Sequence, residues 1–180
     1  MPAPIASEQS VDPLTELLGQ VRQASGGRLL ALHTDLARSP AGLSAYLGLR
    51  RAGSDYGTLT PMVRAAIMLT VGVADDGAYS QAIATQLAIG AGMTPEQTVA
   101  VRTGQIADAR LAALLAVMRE AAVNTGRVTE ATAAGWSVAQ LTEAFVFLAL
   151  TVFVDYFTHY VHTELNVPPA PPVPREGSNR

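Results

Sequence analysis

Asp155, His159 and His162 stand at i, i+4 and i+7 of one apolar, helix-patterned stretch, so they share one face. A carboxylate that orients one imidazole while a second assists is an acid–base arrangement. The same residue types can ligate a metal. Two His and one Asp along a single helix make a poor tetrahedral set, so no metal is expected. The plainer reading is that His near a helix C-terminus suits the helix dipole or an interface. A second group is Asp75, Asp76, Gly77, Ala78, Tyr79 and Ser80. Two adjacent carboxylates can share one raised pKa. The expected role of Asp75 and Asp76 is instead to cap the following helix, where negative charge is favoured. Tyr79 and Ser80 offer hydroxyls to a ligand; the alternative is that they simply pack. His33 is a lone His on an amphipathic helix and reads as structural.

Composition excludes several chemistries. The chain of 180 residues contains no cysteine, which removes disulfides, thiolate metal sites and thiol-based peroxidase or reductase steps. All twelve basic residues are arginine, so a Schiff-base lysine and a phosphate-loop lysine are excluded. Net charge is −3, and no nucleic-acid partner is expected. The N-terminus lacks the charged start and apolar run of a signal peptide. The longest apolar run, Ala144 to Val154, is about half a membrane span and ends at Asp155. A soluble cytoplasmic protein with no membrane partner is the expectation.

The elements that must position these residues read as helices. Residues 1–11 form a tail. Asp12-Pro13 starts a helix with Leu14, Leu17, Leu18 and Val21 on one stripe, broken at Gly26-Gly27. A second helix runs through Leu29 to Leu36. Ser39-Pro40 starts a third that reaches about Ala52, before a polar loop over Gly53 to Leu59. Thr60-Pro61 opens a fourth, and Asp75 begins a fifth that continues to about Gly90. Thr94-Pro95-Glu96-Gln97 is a capping box. Asp108 caps an Ala- and Leu-rich helix ending near Gly126. Ser137 to Gln140 is a second capping box, opening the most apolar helix, to about Glu164. No segment alternates with a period of two, so the class is all-α. The domain is expected over 12–167, with a Pro-rich tail over 168–180. So apolar a final helix implies burial between subunits as well as within one. A homo-oligomer (dimer, trimer or hexamer) is expected.

Six landmarks in this order resemble the alkylhydroperoxidase D-like branch of the carboxymuconolactone decarboxylase superfamily. They are Leu59-Thr60-Pro61, Ala91-Gly92-Met93-Thr94, Ile106 to Leu111, Gly126-Arg127-Val128, Ala134-Gly135-Trp136-Ser137, and Asp155-Tyr156-Phe157-Thr158-His159-Tyr160-Val161-His162-Thr163. The resemblance covers roughly Pro13 to Pro168 and implies that family's helical bundle. Its redox members carry Asn-Gly-Cys-x-Tyr-Cys-x-x-x-His, with a Glu twelve residues before the first Cys. The matching positions here are Ala65 for the Glu, Gly77 and Ser80 for the thiols, and Ala84 for the His; only Tyr79 is kept. A serine hydroxyl cannot replace a redox thiol. The decarboxylase branch places a His near Ala84, so its chemistry is not carried over either.

Small residues at Ala65, Gly77 and Ala84 imply a roomier, more apolar site that suits an organic molecule. The expected function is therefore binding of an organic small molecule, with non-redox acid–base chemistry of isomerase, cyclase or lyase type. Tyr79, Ser80, His159 and His162 are the candidate catalytic groups. Asp75, Asp76, Ala65, Gly77 and Ala84 would line the substrate site, and no cofactor is expected. The alternative is a non-catalytic oligomeric binding or scaffold protein of the same fold. Residual peroxidase activity conflicts with the lack of cysteine.

Overall fold

A computed structural model describes residues 12–129 and 135–173. Those residues form eight helices and no strand: α1 Pro13–Ala24, α2 Ala31–Leu36, α3 Pro40–Asp55, α4 Pro61–Ala74, α5 Ala78–Gly90, α6 Pro95–Thr103, α7 Ala109–Val123 and α8 Val138–Val161. The all-α expectation holds. The sequence-predicted stretch Ala134 and the tails over residues 1–11 and 174–180 lie outside the described residues.

Helix starts follow local chemistry. Asp12, Ser39, Thr60, Thr94, Asp108 and Ser137 each accept a backbone N–H from the first turn through their side chains. Thr94 with Gln97 and Ser137 with Gln140 complete reciprocal capping boxes. The centre of the molecule is α4, which packs against α5, α6, α7 and α8. Ala66, Ile67, Leu69, Thr70 and Val71 on α4 are wholly enclosed, as a helix apolar on every side must be. Gly72 lets α5 approach closely: a Cβ there would lie 3.3 Å from the Ser80 Cβ.

Two segments differ from the sequence reading. Helix α3 runs on to Asp55 instead of stopping near Ala52, because Gly53 leaves room for the Phe147 ring of α8, which a Cβ would overlap. The expected loop is thus shortened. Its remainder is held by Glu143, whose carboxylate accepts the N–H groups of Thr58 at 2.7 Å and Leu59 at 3.1 Å.

Asp75 and Asp76 do not cap α5, contrary to expectation. Asp75 closes the C-terminus of α4, Asp76 takes a left-handed conformation (φ 53°), and Gly77 is the N-terminal flank of α5 with no side-chain cap. The turn is fixed instead by backbone bonds, with Gly77 N–H donating to Gly72 O at 2.7 Å. At the other end of the chain α8 stops at Val161, where His162 adopts φ 54°. By length and composition α8 could cross a bilayer, but its Ala144, Phe147, Leu150 and Val154 side chains are buried in the fold.

Candidate functional site

A cavity of about 510 Å³ lies between α2, α3, α4, α5 and α8, and Val167 and Pro168 of the C-terminal segment also border it. Its size is that of a site for a small organic ligand. Ile83, Met68, Leu150 and Val154 make much of its wall apolar. Helix α4 contributes Ala65 and α5 contributes Ser80, both almost fully buried.

The four positions that the resemblance matches to a thiol relay are placed differently. Ala65 and Ser80 border the cavity. Ala84 is wholly buried in the core and does not line it. Gly77 is covered: a Cβ at this position would overlap the Asp155 carboxylate of α8. The carboxylate therefore occupies the space that a side chain at residue 77 would need. Ser80 thus borders the cavity and also adjoins the buried Asp155 carboxyl.

Asp155 has no exposed surface, and neither carboxylate oxygen has a hydrogen-bond partner among the described residues. Burial pushes its pKa up to about 7; the adjacent Ser80 hydroxyl and the His159 imidazole pull it down, while Asp75 pushes it up further. Ser80 Oγ sits beside the carboxylate without completing a hydrogen bond to it, and is itself buried and unpartnered. Asp75 also titrates high because of burial, moderated by His159, and its Oδ2 is unpartnered. Asp75, Gly77, Ser80, Asp155 and His159 thus form one cluster where the α4–α5 turn meets α8. The Asp155–His159 hydrogen bond suggested by i, i+4 spacing is not formed: the carboxylate faces α5, and His159 is on the exposed surface.

The remaining candidates sit elsewhere. Tyr79 is buried, but its hydroxyl accepts Leu32 N–H at 3.3 Å and donates to Asn166 Oδ1 at 3.4 Å. It ties α5 to α2 and to the C-terminal segment and does not line the cavity. Asp76 and His162 are exposed on turns.

One cavity residue was read from sequence as merely structural. His33 lies 1% exposed in the cavity wall, its ring centroid 5.6 Å from that of Tyr46. Nδ1 accepts the Leu30 N–H at 3.1 Å, which places the imidazole proton on Nε2. That Nε2 is buried with no partner among the described residues. Burial, and then the charge of Arg50, lowers the His33 pKa to about 4, so the ring stays neutral and offers a donor. Nothing in the periodicity of α2 marks His33 for this role; only the packing of α2 over α3 and α5 does.

A second recess, of about 540 Å³, lies at the end of α7 between Glu120 and Thr129. It contains none of the candidate residues and adjoins chain outside the described set.

No family model and no curated protein matches the chain. A solved structure of a Cys-to-Ala variant of the debrominase Bmp8 in complex with 2,3,4-tribromopyrrole is similar in fold. The TM-score is 0.70 at 14% sequence identity, over 92% of this chain and 90% of that one. The eight described helices therefore have the alkylhydroperoxidase D-like fold, as a single domain.

Proposed function

We propose that this protein binds an organic small molecule in the α2–α5/α8 cavity and moves protons on it without redox chemistry, in a reaction of isomerase, cyclase or lyase type. The carrying observation is that Ser80 borders the cavity and adjoins the buried, unpartnered Asp155 carboxyl. A carboxyl with a pKa near 7 exchanges a proton readily at neutral pH. Ser80 adjoins both the carboxyl and the ligand space, so its hydroxyl can pass the proton between them. His33 Nε2–H supplies a neutral donor to an acceptor on the ligand. The similar debrominase structure holds a small halogenated heterocycle, and a ligand of that size fits the volume available here.

Binding is tested with the neutral dye N-phenyl-1-naphthylamine, which brightens in apolar surroundings. Saturable brightening is expected with the native chain and not with Ile83→Trp, which fills the cavity. A native chain that gives no saturable signal overturns the binding reading.

The proton-transfer part is tested separately, on any small molecule that mass spectrometry detects with the purified protein. Incubation in heavy water should place deuterium on its carbon skeleton with the native chain and not with Asp155→Asn. Ligand binding without deuterium uptake would favour the second reading, a non-catalytic binding protein. One observation favours that reading: Asp155 itself is not in the cavity wall. The proposal keeps self-association with a second copy, for which α8 leaves Val138, Phe145, Tyr156 and Tyr160 exposed.

A further inference from the structure

We propose that the cavity selects an amphipathic organic anion: an apolar, ring-sized body with one anionic group held by Arg50 and Arg64. This rests on the binding reading above and names its ligand class.

Three of the chain's twelve arginines, Arg28, Arg50 and Arg64, line this one cavity, and among the described residues no Asp or Glu does. The chain as a whole is acidic, with net charge −3, so the cavity is a local reversal of sign. The only ion pair among the described residues is Arg38–Asp35, on the surface. Arg50 and Arg64 are half-buried. Each is held by neutral partners and forms no ion pair among the described residues, although the Glu143 carboxylate lies near the Gly53 carbonyl that Arg64 bonds. Arg50 donates to Tyr46 Oη at 3.3 Å, with its guanidinium 5.7 Å from the Tyr46 ring centroid. Arg64 donates to Gly53 O at 3.0 Å and lies 5.8 Å from the Phe147 ring. A guanidinium has five N–H donors, so both retain donors for a ligand. Partly desolvating a cation that has no ion-pair partner is unfavourable, and an anionic ligand reduces that penalty. The field is felt inside the cavity: Arg50 is the charge that helps keep His33 neutral.

The order of groups sets the orientation of the ligand. Arg28 is exposed, Arg50 and Arg64 are half-buried, and Ser80 is buried. In this reading the anionic end lies on the side of the exposed Arg28, and the apolar body packs on Ile83 and Met68.

The test uses two dyes that differ by one sulfonate: neutral N-phenyl-1-naphthylamine and its anionic counterpart 8-anilinonaphthalene-1-sulfonate. Both should bind the native full-length chain, and only the sulfonate should weaken as salt rises. Arg50→Met should weaken the sulfonate at least tenfold and change the neutral dye less than threefold. Arg50→Lys should restore part of the loss. Arg64→Met should act in the same direction, with its melting temperature measured alongside, since it also loses a bond to Gly53. Equal effects of Arg50→Met on both dyes, or none on either, would overturn the anion assignment and leave the binding reading intact. Failure of both dyes to bind the native chain would sink both.

Discussion

At the scale of single residues, the decisive group is Asp155. Its carboxyl is buried against the backbone of Gly77 and beside Ser80, with no cation bonded to it. The fold therefore prefers the protonated form, with a pKa near 7 against the ordinary 3.8. That preference contributes stability in full below about pH 4 and is lost as pH rises through about 7. Asn has the same shape and no charge. The stability of the native chain relative to Asp155→Asn should fall between pH 4.5 and 8, by up to about 1.4 kcal/mol per pH unit in that window, then level off. Urea unfolding at pH 4.5, 6 and 8 measures it. His33 acts in the opposite direction, since its lowered pKa makes acid destabilising, but both proteins carry it and it cancels in the difference. Parallel stability curves would show that Asp155 is ionised in the fold.

At the scale of elements, the site is made by one crossing, where the start of α5 meets the last turns of α8. Gly77 is required there because Asp155 leaves no room for a Cβ. Gly77→Ala should cost roughly 1–3 kcal/mol through overpacking, seen as a lower melting temperature. Asp155→Ala in the same chain should recover most of that loss. A double-mutant cycle with no coupling would mean that the two helices do not meet as described. Gly72 and Gly53 play the same part elsewhere, one admitting α5 to α4 and the other admitting the Phe147 ring to α3.

At the scale of the molecule, an alkylhydroperoxidase D-like fold carries small, non-thiol residues at the four positions that the sequence resemblance matches to a redox relay. Restoring the relay by Ala65→Glu, Gly77→Cys, Ser80→Cys and Ala84→His runs into two obstacles. Cys at 77 collides with Asp155, and His at 84 must enter a position with no free surface. The four-substitution chain should therefore lose cooperative unfolding and show no consumption of tert-butyl hydroperoxide. Adding Asp155→Ala should improve folding by removing the first obstacle. A well-folded, peroxide-active four-substitution chain would refute the placement of Asp155.

The sequence by itself determined the helices, because their signals are local. Caps at Asp12, Ser39, Thr60, Thr94, Asp108 and Ser137, and the apolar periodicity between them, place every start to within a residue or two, save that of α5. The start of α5 departs from this pattern because Asp75 and Asp76 resemble caps, yet the turn is closed by the backbone. The sequence also excludes thiol chemistry in this chain, which contains no cysteine. The resemblance drew attention to Ala65 and Ser80, and both border the cavity. Tertiary structure alone decided which other groups join them. Asp155 lies 78 residues from Gly77 along the chain (155 − 77), and the pairing exists only because α8 crosses the α4–α5 turn. Arg50, Arg64 and His33 come from three different helices, and each is unremarkable in its own pattern. Their convergence on one apolar cavity is a property of packing, which no local spacing encodes.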